Sequence, residues 1–152
     1  MFCFLPRIAA VLLLVVAGTL APAAAGERAF KASGAGVISQ TYYMNASGFE
    51  ATHLGKAYFS GFVDPDLLQY PGILEIPAYL TAANGDRLYL DSAVYNDVDP
   101  ATGIATGIAI GTLTFKGGTG RFQAATGSAD VMFVFDTNYQ HFLFLIDGSI
   151  DY

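Results

Sequence analysis

Apolar and polar residues alternate with a period of two along most of the chain. From 49 to 63 the odd positions are mostly small or apolar, and the even positions are mostly polar. The same alternation recurs at 74–80 and at 86–95. Successive side chains of a β-strand point to opposite faces, so the pattern predicts half-buried strands, one of them unbroken from 49 to 63.

Short turn signals separate these segments: Asn84-Gly85, the run 99–103 and the run Gly117-Gly118-Thr119-Gly120. With 12 Phe, 9 Tyr and 17 Gly, the composition also favours strands joined by tight turns. We therefore predict an all-β fold, a closed antiparallel barrel of about eight strands, because an open sheet leaves two unpaired edges. A two-sheet sandwich is the alternative. Small residues at 107, 109 and 111 predict a point of close backbone approach.

Residues 1–25 have the pattern of a signal peptide. Arg7 precedes an apolar run, and Ala23-Ala24-Ala25 forms an A-x-A cleavage signal. We expect export to the periplasm or the extracellular space, with one barrel domain at 26–152. An uncleaved anchor is less favoured because the apolar run is short. The single cysteine, Cys3, precedes that run, which argues against a lipoprotein and leaves the domain without thiol chemistry.

Composition and charge exclude two classes of protein. The hydrophobic share of 53% is far above that of a disordered chain. Without Arg7, six basic residues face 13 acidic ones, a net charge of −7 with no basic cluster. Nucleic acid is therefore not expected as a partner.

Five short segments carry a family resemblance: 52–55, 81–86, 117–122, 125–127 and 147–152. Together they resemble the allene oxide cyclase and dirigent superfamily of barrels, in particular its small exported bacterial members, over nearly the whole mature chain. The G-G-T-G-R-F run at 117–122 is the most specific part. The resemblance implies an eight-stranded barrel with a central apolar pocket, often trimeric in the plant members. Phe122 is expected to plug one end of the barrel, and no catalytic residue is carried over, because no local motif matches those of the plant enzymes.

Five residues are candidates for binding a ligand in the barrel. His53 shares its parity with Phe49 and Phe59, on the face expected to point inward. An inward histidine transfers a proton, orients a ligand, or is a structural residue with satisfied hydrogen bonds. Tyr58 and Tyr79 are candidates for polarising a substrate.

Neither a metal nor a cofactor is predicted. His53 and His141 alone make no convincing zinc site, and parity places His141 outside. The run 96–100 lacks the spacing of a calcium loop and is explained as a turn. The glycine run at 117–120 precedes a strand, whereas a phosphate cradle precedes a helix. Four carboxylates fall on polar faces and are expected to face solvent: Glu50, Glu75, Asp91 and Asp130.

The last two predicted strands, 129–136 and 139–151, are apolar on both faces. A monomeric barrel would expose Met132, Val134, Leu143 and Leu145, and such patches usually mark an interface. We predict a homo-oligomer through these strands, in agreement with the plant trimers. An outer-membrane barrel is the rival, but the small residues opposite the charged positions form no lipid-facing belt, so we expect no stable membrane insertion.

Three functions remain open from the sequence. The first, and the function we expect, is binding of a small apolar molecule inside the barrel. The second is an isomerase or cyclase acting on a hydrophobic substrate, with His53 polarising it. The third is a filled barrel that serves as a protein-interaction scaffold. Whether the barrel is hollow or filled separates the first two from the third.

Overall fold

The computed structural model describes residues 26–68 and 72–152. Eight strands account for most of them: β1 (Arg28–Ile38), β2 (Tyr43–Ala51), β3 (Gly55–Phe62), β4 (Ile73–Thr81), β5 (Arg87–Val98), β6 (Ala105–Gly118), β7 (Thr126–Phe135) and β8 (His141–Asp151). A four-residue helix, α1 (Pro65–Leu68), follows β3, and a 3₁₀ turn (Gly120–Phe122) follows β6. The predicted signal peptide at 1–25 lies outside the described residues.

The strands form one closed antiparallel barrel in sequence order. Closure is made by β1 and β8, which pair continuously from Arg28 opposite Ile150 to Val37 opposite His141. The all-β prediction of a closed, eight-stranded antiparallel barrel is therefore confirmed, and the two-sheet alternative is wrong. Closure leaves no strand edge for aggregation, which a sandwich of this length would expose.

The connections lie at two ends of the barrel. We call the end where β1 begins the first rim, and it carries the connections 52–54, 82–86 and 119–125 together with Tyr152. The opposite end is the second rim, which carries the connections 39–42, 99–104 and 136–140 together with α1.

The predicted unbroken strand from 49 to 63 is wrong, because the chain reverses at 52–54 between β2 and β3. Residues directly opposite each other in an antiparallel pair lie on the same face. Ala51 lies opposite Gly55, four positions on, so the inward parity of the odd residues continues unchanged through the turn. A hairpin of this length therefore has the same alternation as one long strand.

Buried apolar side chains line the interior and lie at both ends of the barrel. Phe122 is fully buried in the 3₁₀ turn at the first rim, as expected of a plug. At the second rim, Val63 and Leu68 are buried, and the buried Asn96 donates a hydrogen bond from Nδ2 to the Leu68 carbonyl oxygen at 2.9 Å. These contacts attach α1 to the barrel.

The predicted close approach around 107–111 is confirmed in β6. A Cβ atom on Gly111 would lie 2.1 Å from the carbonyl oxygen of Ala93 on β5. No side chain fits at that distance, so glycine allows the two strands to coil tightly here.

Candidate functional site

Phe59 reaches across the middle of the barrel. Its strand, β3, lies three strands from β8 and four from β7, so these strands form the opposite wall. The Phe59 ring nevertheless lies 5.2 Å from the ring of Phe144, 5.8 Å from Phe142 and 6.3 Å from Phe133, between centroids. These are distances of packed aromatic rings. Side chains from the two walls therefore meet across the interior at this level.

Phe49 belongs to the same cluster. It is 8% exposed, and its ring meets Phe144 edge-on at a centroid distance of 5.0 Å. Both predicted pocket phenylalanines thus face inward, and both contact other side chains there.

His53 does not point into the barrel, contrary to the parity argument. It lies in the β2–β3 turn at the first rim with a φ of 68°. Its Nε2 atom is 2.9 Å from the Ala29 carbonyl oxygen, and its ring lies 5.7 Å from that of Tyr152. Arg121 of the 3₁₀ turn donates a hydrogen bond to the His53 carbonyl oxygen. These contacts attach the turn to β1 and to the plug.

Tyr58 and Tyr79 lie on the outer wall. The Tyr58 hydroxyl donates a hydrogen bond to Asn45 Oδ1 on β2. The guanidinium of Arg87 lies over the Tyr79 ring at 4.9 Å. The five predicted ligand-binding residues are therefore distributed over the interior, the first rim and the outer wall, and they do not converge on one pocket.

An apolar patch lies on the outer surface of three adjacent strands, and we call it the aliphatic wall. It consists of two cross-strand rows: Ile108, Val134 and Leu143, and then Ile110, Met132 and Leu145. Ile110, Leu143 and Leu145 are 56%, 54% and 49% exposed. The prediction that residues 132, 134, 143 and 145 face outward is confirmed, and β6 extends the patch.

Asp136 organises the β7–β8 turn beside this wall. Its Oδ1 accepts hydrogen bonds from the backbone N–H groups of Gln140 and His141, and its Oδ2 lies 3.1 Å from His141 Nδ1. Hydrogen bonds from the backbone and the side chain of His141 lower the pKa of Asp136 from its usual 3.8. His141 is exposed, as parity predicted. The pair is a carboxylate with an oriented imidazole, arranged to hold a hairpin turn.

The carboxylates that were predicted to face solvent or to stabilise a turn are found in those positions. Glu50, Glu75, Asp91 and Asp130 are exposed on the outer wall. Asp99 accepts hydrogen bonds from the Ala101 backbone and the Thr102 hydroxyl, as a turn residue does. The described residues contain no group of three or more His, Cys, Asp or Glu side chains that could hold a metal ion.

Sequence reasoning missed a groove on the outer wall across β2, β3 and β4. It has a volume of about 210 Å³ and is lined by Tyr43, Ser60, Gly61, Phe62, Pro77, Ala78 and Tyr79. Its residues come from three strands, and only the β2–β3 hairpin register places Tyr43 beside Phe62. The 49–63 strand prediction concealed that register.

Comparisons with known proteins give no neighbour: no family model, no curated protein and no solved structure matches the chain. The family resemblance therefore depends on the quoted segments alone.

Within the described ranges, no helix is long and apolar enough to cross a membrane.

Proposed function

We propose that the chain is an exported barrel of the allene oxide cyclase-like kind whose interior is filled and whose outer wall is an interaction surface. Copies of the chain associate through the aliphatic wall. The observation that carries the proposal is the stack of Phe59 on Phe144 and Phe142, which joins opposite walls of the barrel. Binding or turnover of an apolar molecule inside requires Phe59 to leave this stack, so the geometry favours the filled barrel.

The exposed aliphatic wall supports association. Soluble monomers rarely expose large contiguous apolar patches, and larger patches mark interaction sites. The six side chains lie on three hydrogen-bonded strands, so they form one continuous surface. On the β1 side its rows end at small or polar residues, since Leu143 lies opposite Ala35 and Leu145 opposite Ser33. On the β5 side the second row continues, since Ile110 lies opposite Tyr95, which is 55% exposed. An apolar centre with a more polar edge is the usual anatomy of an interface.

Native mass spectrometry of the protein purified after exported expression tests the proposal. We expect a ligand-free oligomer of chains that begin at Gly26. A wild-type monomer would overturn association, and a retained small molecule would overturn the filled interior. A chain that keeps residues 1–25 would overturn cleavage and leave the other two results interpretable.

A matched pair of variants locates the interface. Leu143→Glu introduces a charge into the aliphatic wall and should yield a folded monomer. Ser47→Glu makes the same change at an exposed position of β2 and should leave the mass unchanged. An unchanged mass for Leu143→Glu would place the interface elsewhere.

A further inference from the structure

The groove across β2, β3 and β4 has aromatic sides. Tyr43 and Phe62 lie opposite each other in the β2–β3 register, and their rings meet at a centroid distance of 5.5 Å with an interplanar angle of 63°. Tyr43 is 52% exposed and Phe62 is 40% exposed, so the two rings form an open corner. Pro77 and Tyr79 of β4 line the other side.

A short side chain creates the space between these rings. Ser60 has the outward parity of Tyr58 and Phe62 on β3, and it lies directly opposite Tyr79 on β4. It is 9% exposed and ends at a hydroxyl, whereas Tyr58, Phe62 and Tyr79 beside it end in rings. The groove is therefore a feature of the sequence, a serine among aromatic residues on one face.

The surroundings of the groove are negatively charged. Asp64 and Asp66 follow Phe62 along the chain, and Glu75 precedes Pro77 by two positions on the same outward face. None of these three carboxylates forms an ion pair with another residue in the described ranges. Glu75 shares a surface cavity with Lys116, however, so the charge that attracts cations to this side of the barrel is mainly that of Asp64 and Asp66.

Positive charge is concentrated at the opposite end. Each Lys or Arg of the described residues lies within four positions of the first-rim end of its strand or in the 3₁₀ turn: Arg28, Lys31, Lys56, Arg87, Lys116 and Arg121. The second rim carries Asp64, Asp66, Asp97, Asp99 and Asp136 and, in its described part, no Lys or Arg. The corner of Tyr43 and Phe62 therefore lies at the acidic end.

Several aromatic rings of the molecule are in contact with arginine side chains. The three described arginines each lie over a ring: Arg28 over Tyr152 at 4.9 Å, Arg87 over Tyr79 at 4.9 Å and Arg121 over Phe122 at 4.8 Å. None of them lies over Tyr43 or Phe62. The corner of Tyr43 and Phe62 therefore offers π-faces that no described arginine covers, whereas Tyr79 on the other side of the groove is already covered by Arg87.

We propose that this groove binds an organic cation, an alkylammonium or a guanidinium group. The negative faces of the rings attract a cation whose own apolar surface fills the corner, and the nearby carboxylates add to the attraction. A neutral apolar ligand gains only the contact with the rings. The site lies on β2–β4 and is separate from the aliphatic wall on β6–β8, so it does not depend on self-association.

A nuclear magnetic resonance titration of the mature protein tests this site. The probes are tetramethylammonium chloride and N-acetyl-arginine amide. Tert-butanol is an uncharged control of similar shape, and sodium chloride is a control for ionic strength. We expect saturable shifts of the amides around Tyr43, Phe62 and Ala78, with a dissociation constant on the order of millimolar. Tert-butanol should bind at least about fivefold more weakly.

The two cationic probes distinguish the sources of the ligand. Saturation by tetramethylammonium alone supports a quaternary amine, and saturation by the arginine derivative alone supports a basic side chain of a peptide. Saturation by both supports a site for either group. If neither probe saturates, or if tert-butanol binds as well as the cations, the proposal is wrong.

A variant pair shows whether the rings carry the binding. Phe62→Leu keeps apolar bulk but removes the π-face, and it should raise the dissociation constant at least about fivefold. Tyr89→Leu removes an exposed ring of β5 outside the groove and should bind as the wild type does. The dispersion of the amide spectrum reports whether each variant is folded. A folded Phe62→Leu protein with wild-type affinity would overturn the proposal, and Tyr43→Leu provides a second test if Phe62→Leu does not fold.

Discussion

Strand β8 has equally apolar residues on the inner and outer walls of the barrel, with opposite consequences. Phe142 and Phe144 point inward and are 2% and 3% exposed, whereas Leu143 and Leu145 point outward and are 54% and 49% exposed. Burial of the inner pair occurs within one chain and contributes to its stability. The outer pair can remove its surface from water only against another molecule. Hydrophobicity alone therefore does not distinguish a residue of the core from one that stays exposed on the outer wall of the chain.

The strongest test of this difference compares two neighbouring residues. Phe142→Ala should lower the free energy of unfolding by about 3–5 kcal/mol, because it leaves a cavity in the phenylalanine stack. Leu143→Ala should change it by less than about 0.5 kcal/mol in the monomer. Urea denaturation at two protein concentrations separates the stability of the monomer from the contribution of association. A loss of stability caused by weaker association appears only at the higher protein concentration. Equal losses for both variants at low concentration would remove the distinction between the walls.

An intermediate loss of stability is expected at Gly111, where the inner wall leaves no room for a side chain. Gly111→Ala should lower the free energy of unfolding by about 1–3 kcal/mol, because its Cβ atom would meet the Ala93 carbonyl oxygen. Gly72→Ala is the control, since a Cβ atom there meets nothing within 4 Å. Thermal unfolding measures both variants, and a wild-type melting temperature for Gly111→Ala would mean that β5 and β6 can move apart freely.

The smallest effect belongs to the exposed turn beside the aliphatic wall. Asp136 has a pKa below its usual 3.8 in the folded protein, so its ionised form is stabilised by folding. That contribution is fully present above about pH 3.8 and is lost as the pH falls through the lower folded pKa. Asp136→Asn should therefore be less stable than the wild type at pH 7, and the difference should shrink below pH 3.8. Chemical denaturation at both pH values gives the difference, and an equal gap at both would show that charge is not involved.

The period of two, together with the turn signals, was sufficient to predict the barrel. The last two strands are apolar on both faces, and there the orientation was predicted from residue parity, with the phenylalanines assigned to the core. Inward and outward positions in a strand differ only in parity, so residues 132, 134, 143 and 145 could be assigned from the sequence. Parity failed at His53. The turn pairs Ala51 with Gly55, so the odd residues next to the turn in both strands point inward, and His53 in the turn shares their parity without sharing their direction. The end of one strand and the start of the next could be predicted only where Gly, Pro or Asn marked the turn between them. Thr52-His53-Leu54 contains none of these residues, so the turn between β2 and β3 was missed.

The candidate sites were less predictable than the fold. The aliphatic wall was found because four of its six residues lie on two adjacent strands that are also adjacent in sequence. The aromatic groove was not found, because it depends on the pairing of Ser60 with Tyr79 and of Tyr43 with Phe62. Such registers are set by the hairpin turns and by packing in the barrel, which local patterning does not specify.

Closure by β1 and β8 also determines when the fold can be completed. Arg28 of β1 lies opposite Ile150 of β8. One edge of β1 therefore stays unpaired until β8 has been synthesised. Contacts this distant in sequence form slowly, because a long loop must close before they are made. Until then, the unpaired edges of the first and last strands and the phenylalanines of the interior are open to other chains. The same closure that removes every strand edge from the finished barrel thus makes the incomplete chain vulnerable to aggregation.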